Sequence, residues 1–373
     1  MKFTISRLHL SAALNSVSRA VSSKNPKPIL TGIKFELNQN GLFLTGTDSD
    51  ISIITKIPLE QGGETLITSV KAGVVVLSSK YVTEIVRKLE SDKLEFDLVS
   101  DNVLKIKGSN SEFSLNCMDA TDYPGVELVK GEATIKLPSS VFRMIVNQTS
   151  FAASDKETRP ILTGVNFRTE GDNLEVVATD SYRLAKKVVK MPGVKPFNVT
   201  IPAKTLNEIS RIIENEKEVD INISDKKVVF TLPKTLVVTR VISGSYPDTN
   251  KLIPEAFDYQ LDTISQNFIS AIDRASLLSV DRQNVVKLSL AANKIQVTSK
   301  SQEIGSASEN VVSFRYSGSP LEVSFTSSYV IDAIRALGTE EVSIHFNGEM
   351  KPFIIKSKGD NSTIQLVLPV RTY

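Results

Sequence analysis

The sequence predicts an α+β chain of three repeated domains, each with two helices and antiparallel sheet, and three observations predict it. Pro28-Ile29-Leu30-Thr31-Gly32-Ile33-Lys34-Phe35 returns 132 positions later as Pro160-Ile161-Leu162-Thr163-Gly164-Val165-Asn166-Phe167. At the same offset Leu44-Thr45-Gly46-Thr47-Asp48-Ser49 returns as Val176-Val177-Ala178-Thr179-Asp180-Ser181. A helical stripe at i, i+3, i+4 and i+7 occurs three times at a spacing of 124: Val82, Ile85, Val86 and Leu89, then Leu206, Ile209, Ser210 and Ile213, then Val330, Ala333, Ile334 and Leu337. The intervening runs have strand character.

From the N-terminus, residues 1–6 read as a strand, and Leu10, Leu14, Val17 and Val21 as the apolar side of a helix. That earlier helix has a counterpart in each third, around Val141, Met144 and Ile145, and around Ile264, Phe268, Ile272 and Ala275. Residues 94–98 alternate and residues 237–242 form an apolar run, both as strands do. Pro follows a strand at Tyr123-Pro124-Gly125 and again at Tyr246-Pro247-Asp248. Boundaries there divide the chain into 1–127, 128–252 and 253–373, each about 120 residues, enough for its own core.

Of 373 residues 41% are hydrophobic and 23% charged, and no apolar run approaches the ~18 residues of a membrane span. A soluble protein with no membrane partner is expected. The first residues lack the apolar stretch of a signal peptide, and the one cysteine, Cys117, excludes an intrachain disulfide, so the expected location is the cytoplasm. Net charge is only +2, but its distribution is uneven. The six helices, taken as 7–21, 80–89, 138–152, 203–213, 263–278 and 328–337, hold ten Lys or Arg against four acids, net +6, leaving −4 for everything else. Arg87, Arg211 and Arg335 each lie about 140° around the helix from the start of the apolar stripe, facing away from it. The alternative is an ordinary surface pair with the acid three residues earlier, Glu84, Glu208 or Asp332.

Catalytic groups are scarce. His9 and His345 have no evident partner in sequence and read as structural or surface residues, and Cys117 reads as a small core residue. No phosphate-binding, dinucleotide-binding, nucleophile-elbow or zinc-protease motif occurs. Asp48-Ser49-Asp50-Ile51-Ser52 begins like a calcium loop, but the glycine needed at position six is Ile53 and the glutamate at twelve is Leu59. Thr47-Asp48-Ser49 and Thr179-Asp180-Ser181 read instead as Asx or Ser/Thr turns closing strands. Neither catalytic residues nor a metal or cofactor is expected. A hydrolase is disfavoured on this ground, and a repeat scaffold that binds only proteins stays as the alternative to a nucleic-acid partner.

The opening Met1-Lys2-Phe3-Thr4, the Pro28-Ile29-Leu30 and Thr45-Gly46-Thr47-Asp48 pair, Val177-Ala178-Thr179-Asp180-Ser181-Tyr182-Arg183-Leu184-Ala185, Tyr246-Pro247-Asp248 and the closing Leu368-Pro369-Val370-Arg371 resemble the bacterial sliding clamps, the β subunits of DNA polymerase III. The resemblance covers the whole chain. It implies the DNA-clamp fold and a head-to-tail homodimer, a ring of six similar domains whose helices surround double-stranded DNA without reading its sequence. Two copies of the helix set would bring about +12 to the hole. The implied activity is that of a non-enzymatic processivity factor for the replicative polymerase, of the α or PolC type. It would be loaded by a separate clamp loader and shared with other clamp-binding-motif proteins, including repair polymerases, ligase, mismatch-repair proteins and initiation regulators.

Residue by residue, the resemblance implies three sites. DNA contacts fall on Arg19, Lys80, Arg87, Arg143, Lys204, Arg211 and Arg335 of the helices and on Lys24, Lys27, Lys156, Arg159 and Arg282 of the loops. A client-peptide pocket draws on Leu162, Thr179, Ser181, Tyr182, Arg183, Leu184, Pro247, Lys251, Leu252, Pro352, Leu366, Leu368, Val370 and Arg371, with Tyr182, Arg183 and Val370 expected to be exposed together. Ser181 and Tyr182 depart from the Gly-His pair of some members. The subunit seam sets Phe113 and Leu115 against Leu277 and Leu278, flanked by Lys80, Glu303 and Glu309. By pattern alone Phe113 and Leu115 are alternating core residues.

Overall fold

The structure, a computed structural model, describes all residues except 128–130, 132, 214–215, 280–283, 313 and 372–373. Among the described residues six α-helices lie where the periodicity puts them: α1 Arg7–Val17, α2 Ser79–Lys88, α3 Ser139–Thr149, α4 Ala203–Ile212, α5 Ser265–Ser276 and α6 Ser327–Leu337. Each begins at the residue after a strand ends. The strands are Lys2–Ser6, Gly73–Ser78, Ala133–Pro138, Asn198–Pro202, Tyr259–Ile264 and Leu321–Thr326. A helix launched directly from a strand end has little freedom to turn its apolar stripe away from the sheet that launched it. Accordingly Val82, Val86, Leu206, Ile209, Val330, Ala333 and Ile334 are buried while Arg87, Arg211 and Arg335 are exposed. At the end of α6, Gly338 takes the left-handed conformation, φ 65°, that stops a helix at low steric cost.

Several expected stripe positions differ, with Ile85, Val141 and Ile264 only half-buried. Met144 is 36% exposed, and α3 buries Phe142 and Val146 along with Ile145, because Met144 lies about 200° around the helix from Phe142. Val21 follows the short 3-10 turn Ser18–Ala20 rather than continuing α1, and is half-buried.

The described residues form two compact units, Met1–Ser139 with Glu208–Val241, and Ser140–Asn207 with Ile242–Tyr373. In the first, a five-stranded sheet runs in the order Glu112–Asn116, Val103–Lys107, Lys93–Ser100, Lys2–Ser6, Ile67–Lys71. Its eight-stranded companion joins strands of different repeats, with Thr235–Arg240 antiparallel to Ile51–Ile57. Phe3 stacks on Phe96 at 4.9 Å in this unit's core.

In the second unit a nine-stranded sheet is joined the same way, Arg183–Lys190 lying antiparallel to Thr363–Val367. A four-stranded sheet ends on Gly305–Asn310. The core contains Phe268, Phe325, Phe346 and Phe353, all buried. Interior strands alternate or stay buried, the edge strand Glu112–Asn116 is mostly exposed, and every ladder that flanks a site below is antiparallel.

Candidate functional site

The repeated Thr-Asp-Ser segment builds the same turn twice. Thr179 Oγ1 donates to the Arg183 carbonyl at 2.6 Å and accepts from the Ser181 amide at 3.1 Å, while Asp180 Oδ1 accepts from the amides of Tyr182 at 2.8 Å and Arg183 at 2.9 Å. In the first repeat Thr47 Oγ1 donates to the Ile51 carbonyl at 2.9 Å, and Asp48 Oδ1 accepts from the amides of Asp50 and Ile51, both at 3.0 Å. Ser49 and Ser181 share the left-handed conformation, φ 84° and 80°. One oxygen of each carboxylate is taken up by backbone amides, as expected of Asx turns. The boundary tyrosines brace these hairpins: Tyr246 Oη accepts from the Thr179 amide at 3.0 Å, and Tyr123 donates to the Thr45 carbonyl at 2.9 Å. Burial pushes both phenols well above the usual tyrosine range.

The turn at 179–183 adjoins a small apolar cluster. Leu184 and Leu366 are buried with Val177 and Ile354 in a small cluster, against which Tyr246, Ile253, Phe257, Ile364 and Leu368 pack. The Leu368 amide donates to the Tyr182 carbonyl at 2.9 Å, and the Val370 amide to the Ser324 carbonyl at 2.7 Å, so the chain's end is tied beside the turn. Thr179 and Leu162 are buried, Leu162 inside the 3-10 turn Pro160–Thr163. Ser181, Pro247, Lys251 and Arg371 are exposed, as are Tyr182 (56%) and Leu252 (52%); Pro352, Leu368 and Val370 are half-buried. Apolar floor, exposed aromatic and a few polar edges are the features of a peptide site.

The expectation that Tyr182, Arg183 and Val370 stand exposed together holds for Tyr182 alone: Val370 is half-buried, and so is Arg183. Its side chain is 14% exposed; Nε donates to Asp180 Oδ2 at 3.1 Å and a terminal nitrogen to Asp332 Oδ2 at 2.8 Å. The guanidinium also lies over the rings of Phe151 at 5.3 Å and Tyr329 at 4.7 Å. A planar fork between two carboxylates and two aromatic faces is satisfied away from water, so it packs inward. Sequence reasoning missed Phe151, Tyr329 and Asp332 as its partners. The only signal available, Asp332 three residues before Arg335, pointed to a local pair.

The expected cations divide by what they hold. Lys24, Lys27, Lys80, Lys156, Arg159 and Lys204 are exposed, and Arg143 is half-buried. Arg87 pairs with Glu84 at 2.6 Å and Arg211 with Glu208 at 2.8 Å, so the surface-pair alternative holds in two helices of three. Glu208 also receives Arg19 at 2.8 Å. Arg335 is exposed and makes no ion pair among the described residues. Arg282 lies outside the described residues.

Of the expected seam residues, Phe113 and Leu115 lie on a sheet edge and Leu277 and Leu278 at a helix end. Glu112–Asn116 is the outermost strand of its sheet, with Phe113 40% exposed and Leu115 half-buried, which overturns the core reading of Phe113. An aromatic on an edge strand has no second sheet layer to enter, so alternation alone misplaces it. Leu277, at the end of α5, is 77% exposed and Leu278 half-buried. Glu303 is exposed, and Glu309, on the edge strand Gly305–Asn310, accepts two bonds from Arg274, at 3.0 and 2.7 Å.

Cys117, expected in the core, is only half-buried, because it follows directly on the edge strand Glu112–Asn116. His9 Nδ1 lies 3.0 Å from Ser6 Oγ at the start of α1. His345 packs against the Phe257 ring at 5.1 Å, and burial followed by the Lys356 charge lowers its pKa below the ordinary 6.5. Burial pushes the Cys117 thiol up to about 11. Because His345 is harder to protonate when folded, its contribution to stability is complete above about pH 6.5 and is lost as pH falls below it. His345→Gln is expected to flatten that part of the stability profile between pH 7 and 5, measured by urea denaturation; an unchanged slope would refute this assignment. Among the described residues no group of three His, Cys, Asp or Glu is placed to hold a metal, and no helix is long and apolar enough to cross a membrane.

Three family models match in succession: the DNA polymerase III beta subunit N-terminal domain over residues 1–127, the central domain over 136–248 and the C-terminal domain over 250–371. The chain is 40% identical to the beta sliding clamp of Bacillus subtilis (strain 168) over 378 residues, covering all of both. The crystal structure of the Bacillus subtilis DNA polymerase sliding clamp superposes over the full length of both chains with a TM-score of 0.95. A Pseudomonas aeruginosa sliding clamp bound to griselimycin is 25% identical and superposes over all of both chains with a TM-score of 0.92.

Proposed function

The chain belongs to the DNA polymerase III beta subunit family, and from that premise we propose that it is a sliding clamp, a processivity factor that encircles duplex DNA and tethers the replicative polymerase to it. The observation that carries the reading is the threefold repeat of strand-launched helix pairs, with cations on the helices and net negative charge elsewhere. Domains at 1–127, 128–252 and 253–373 place two helices in each. Two chains joined head to tail make a ring of six, with the edge strand Glu112–Asn116 of one copy completing the sheet that ends on Gly305–Asn310 of the other. Phe113 and Leu115 then meet Leu277 and Leu278, with Lys80, Glu303 and Glu309 at the rim.

Inside the ring, Arg19, Arg87, Arg143, Lys204, Arg211 and Arg335 and the loop residues Lys24, Lys27, Lys156, Arg159 and Arg282 attract phosphates without reading bases. Salt-screened contacts of this kind hold the duplex loosely enough to slide. Topology keeps the protein on DNA, and the tether raises the local concentration of whatever is docked in the pocket. The clamp performs no chemistry of its own in this reading. A clamp loader opens it, and polymerase, ligase, repair and initiation proteins compete for the site between Tyr182, Leu252 and Leu368.

After loading, nicked circular DNA is expected to retain the protein through a salt wash that clears it from linear DNA, whose ends let the ring run off. Equal loss from both would eliminate the ring and favour a protein-only scaffold. Removing residues 370–373 is expected to weaken a client peptide at least tenfold, about 1.4 kcal/mol, with the dimer intact by sedimentation. Unchanged affinity would refute the pocket.

A further inference from the structure

The three homologous helices differ in what they do with one carboxylate. In α2 and α4 the acid three residues before the exposed arginine closes on it, Glu84 on Arg87 and Glu208 on Arg211. In α6 the corresponding acid, Asp332, accepts instead from Arg183 at 2.8 Å, and Arg335 makes no ion pair among the described residues. We propose that Asp332 is a positioning residue: by giving its carboxylate to Arg183, it leaves Arg335 free to hold DNA phosphate, so the pocket turn and the DNA-facing helix share one charge.

The competition for Asp332 is unequal. An exposed i,i+3 pair is weak and screened by salt. Arg183 is 14% exposed, is already fixed by Asp180, and lies between the Phe151 and Tyr329 rings, so its hold on Asp332 is charge-assisted and partly dry. Aspartate is also one methylene shorter than the glutamates of α2 and α4, which shortens its reach toward Arg335. An arginine bound to its own glutamate must loosen that pair to take a phosphate, whereas Arg335 has nothing to loosen. The proposal rests on α6 lining the DNA channel, as read above.

The test is equilibrium binding of the dimer to a short linear duplex across a salt series. Arg335→Ala is expected to reduce the slope of log K against log salt by about 0.9 for each Arg335 that meets a phosphate. Arg183→Ala is expected to reproduce part or all of that reduction, because the freed Asp332 falls back on Arg335, and adding Asp332→Asn to it is expected to restore the wild-type slope. A merely structural Arg183 would not be rescued by that second substitution. An unchanged slope in Arg183→Ala, or a double variant as depressed as the single, would overturn the proposal. Should Arg183→Ala fail to fold, Asp332→Asn alone carries the test: it is expected to keep the wild-type slope, and a reduction overturns the inference. If wild-type binding shows no salt dependence, or Arg335→Ala changes nothing, the lining role of α6 falls and the proposal with it. A wild-type response with an inert Arg183→Ala condemns the proposal alone.

Discussion

Leu277→Asp is expected to convert a particle near twice 40.9 kDa into one near 40.9 kDa, measured by sedimentation equilibrium at micromolar concentration. Leu277 is 77% exposed at the end of α5, next to half-buried Leu278, so the pair offers apolar surface to a second chain in the proposed seam. Burying a carboxylate there in place of an apolar anchor costs about 2–4 kcal/mol per contact, the range of interface hot spots. A head-to-tail ring contains two identical seams, so each substitution acts twice and the dimer is weakened by roughly 4–8 kcal/mol. Retention on nicked circles is expected to disappear with the dimer. Client-peptide binding is expected to persist, since none of the residues around Tyr182 and Leu368 belongs to the proposed seam. A stable dimer of the Leu277→Asp protein would refute the placement of the seam.

The helices were legible because a 3.6-residue stripe is local, and because each stripe was repeated; the turns were legible because Asp and Thr at fixed offsets can satisfy only nearby amides. The joins between repeats were not. Thr235–Arg240 pairs with Ile51–Ile57, and Arg183–Lys190 with Thr363–Val367, across separations that leave no mark on either strand. A strand records which of its faces is buried, not which neighbour completes the ladder. The same limit hid the partner of Arg183. Its nearer carboxylate, Asp180, was visible three residues away, while Asp332 is brought in only by the packing of α6. Phe113 fails for the opposite reason: its alternation with Leu115 is real, but an edge strand can present that face to solvent or to a second chain. Site residues that depend on chain ends meeting chain middles, Leu368 beside Tyr182 above all, became assignable from the sequence only through the family resemblance.

Phe353 and Ile354 are neighbours on one strand that serve opposite faces of the nine-stranded sheet, and this permits stability and peptide binding to be separated by adjacent substitutions. Phe353 is buried in the main core of its unit, with its ring 5.1 Å from Phe346 and 5.7 Å from Phe325. Phe353→Ala removes a ring from a close-packed aromatic cluster that cannot collapse around the gap, and is expected to lower unfolding free energy by about 3–5 kcal/mol. Ile354 points into the small cluster with Val177, Leu184 and Leu366, beneath the half-buried Leu368. That cluster has partly exposed neighbours able to settle into a void, so Ile354→Ala is expected to cost about 2 kcal/mol, the low end for such a truncation. Settling moves Leu368 and with it the wall of the peptide site. Ile354→Ala is therefore expected to weaken client peptides more than Phe353→Ala does, at a temperature where both remain folded. Denaturant titrations and peptide binding on the two proteins check this crossover; if Phe353→Ala proves the stronger disruptor of both, the small cluster is not the floor of the pocket.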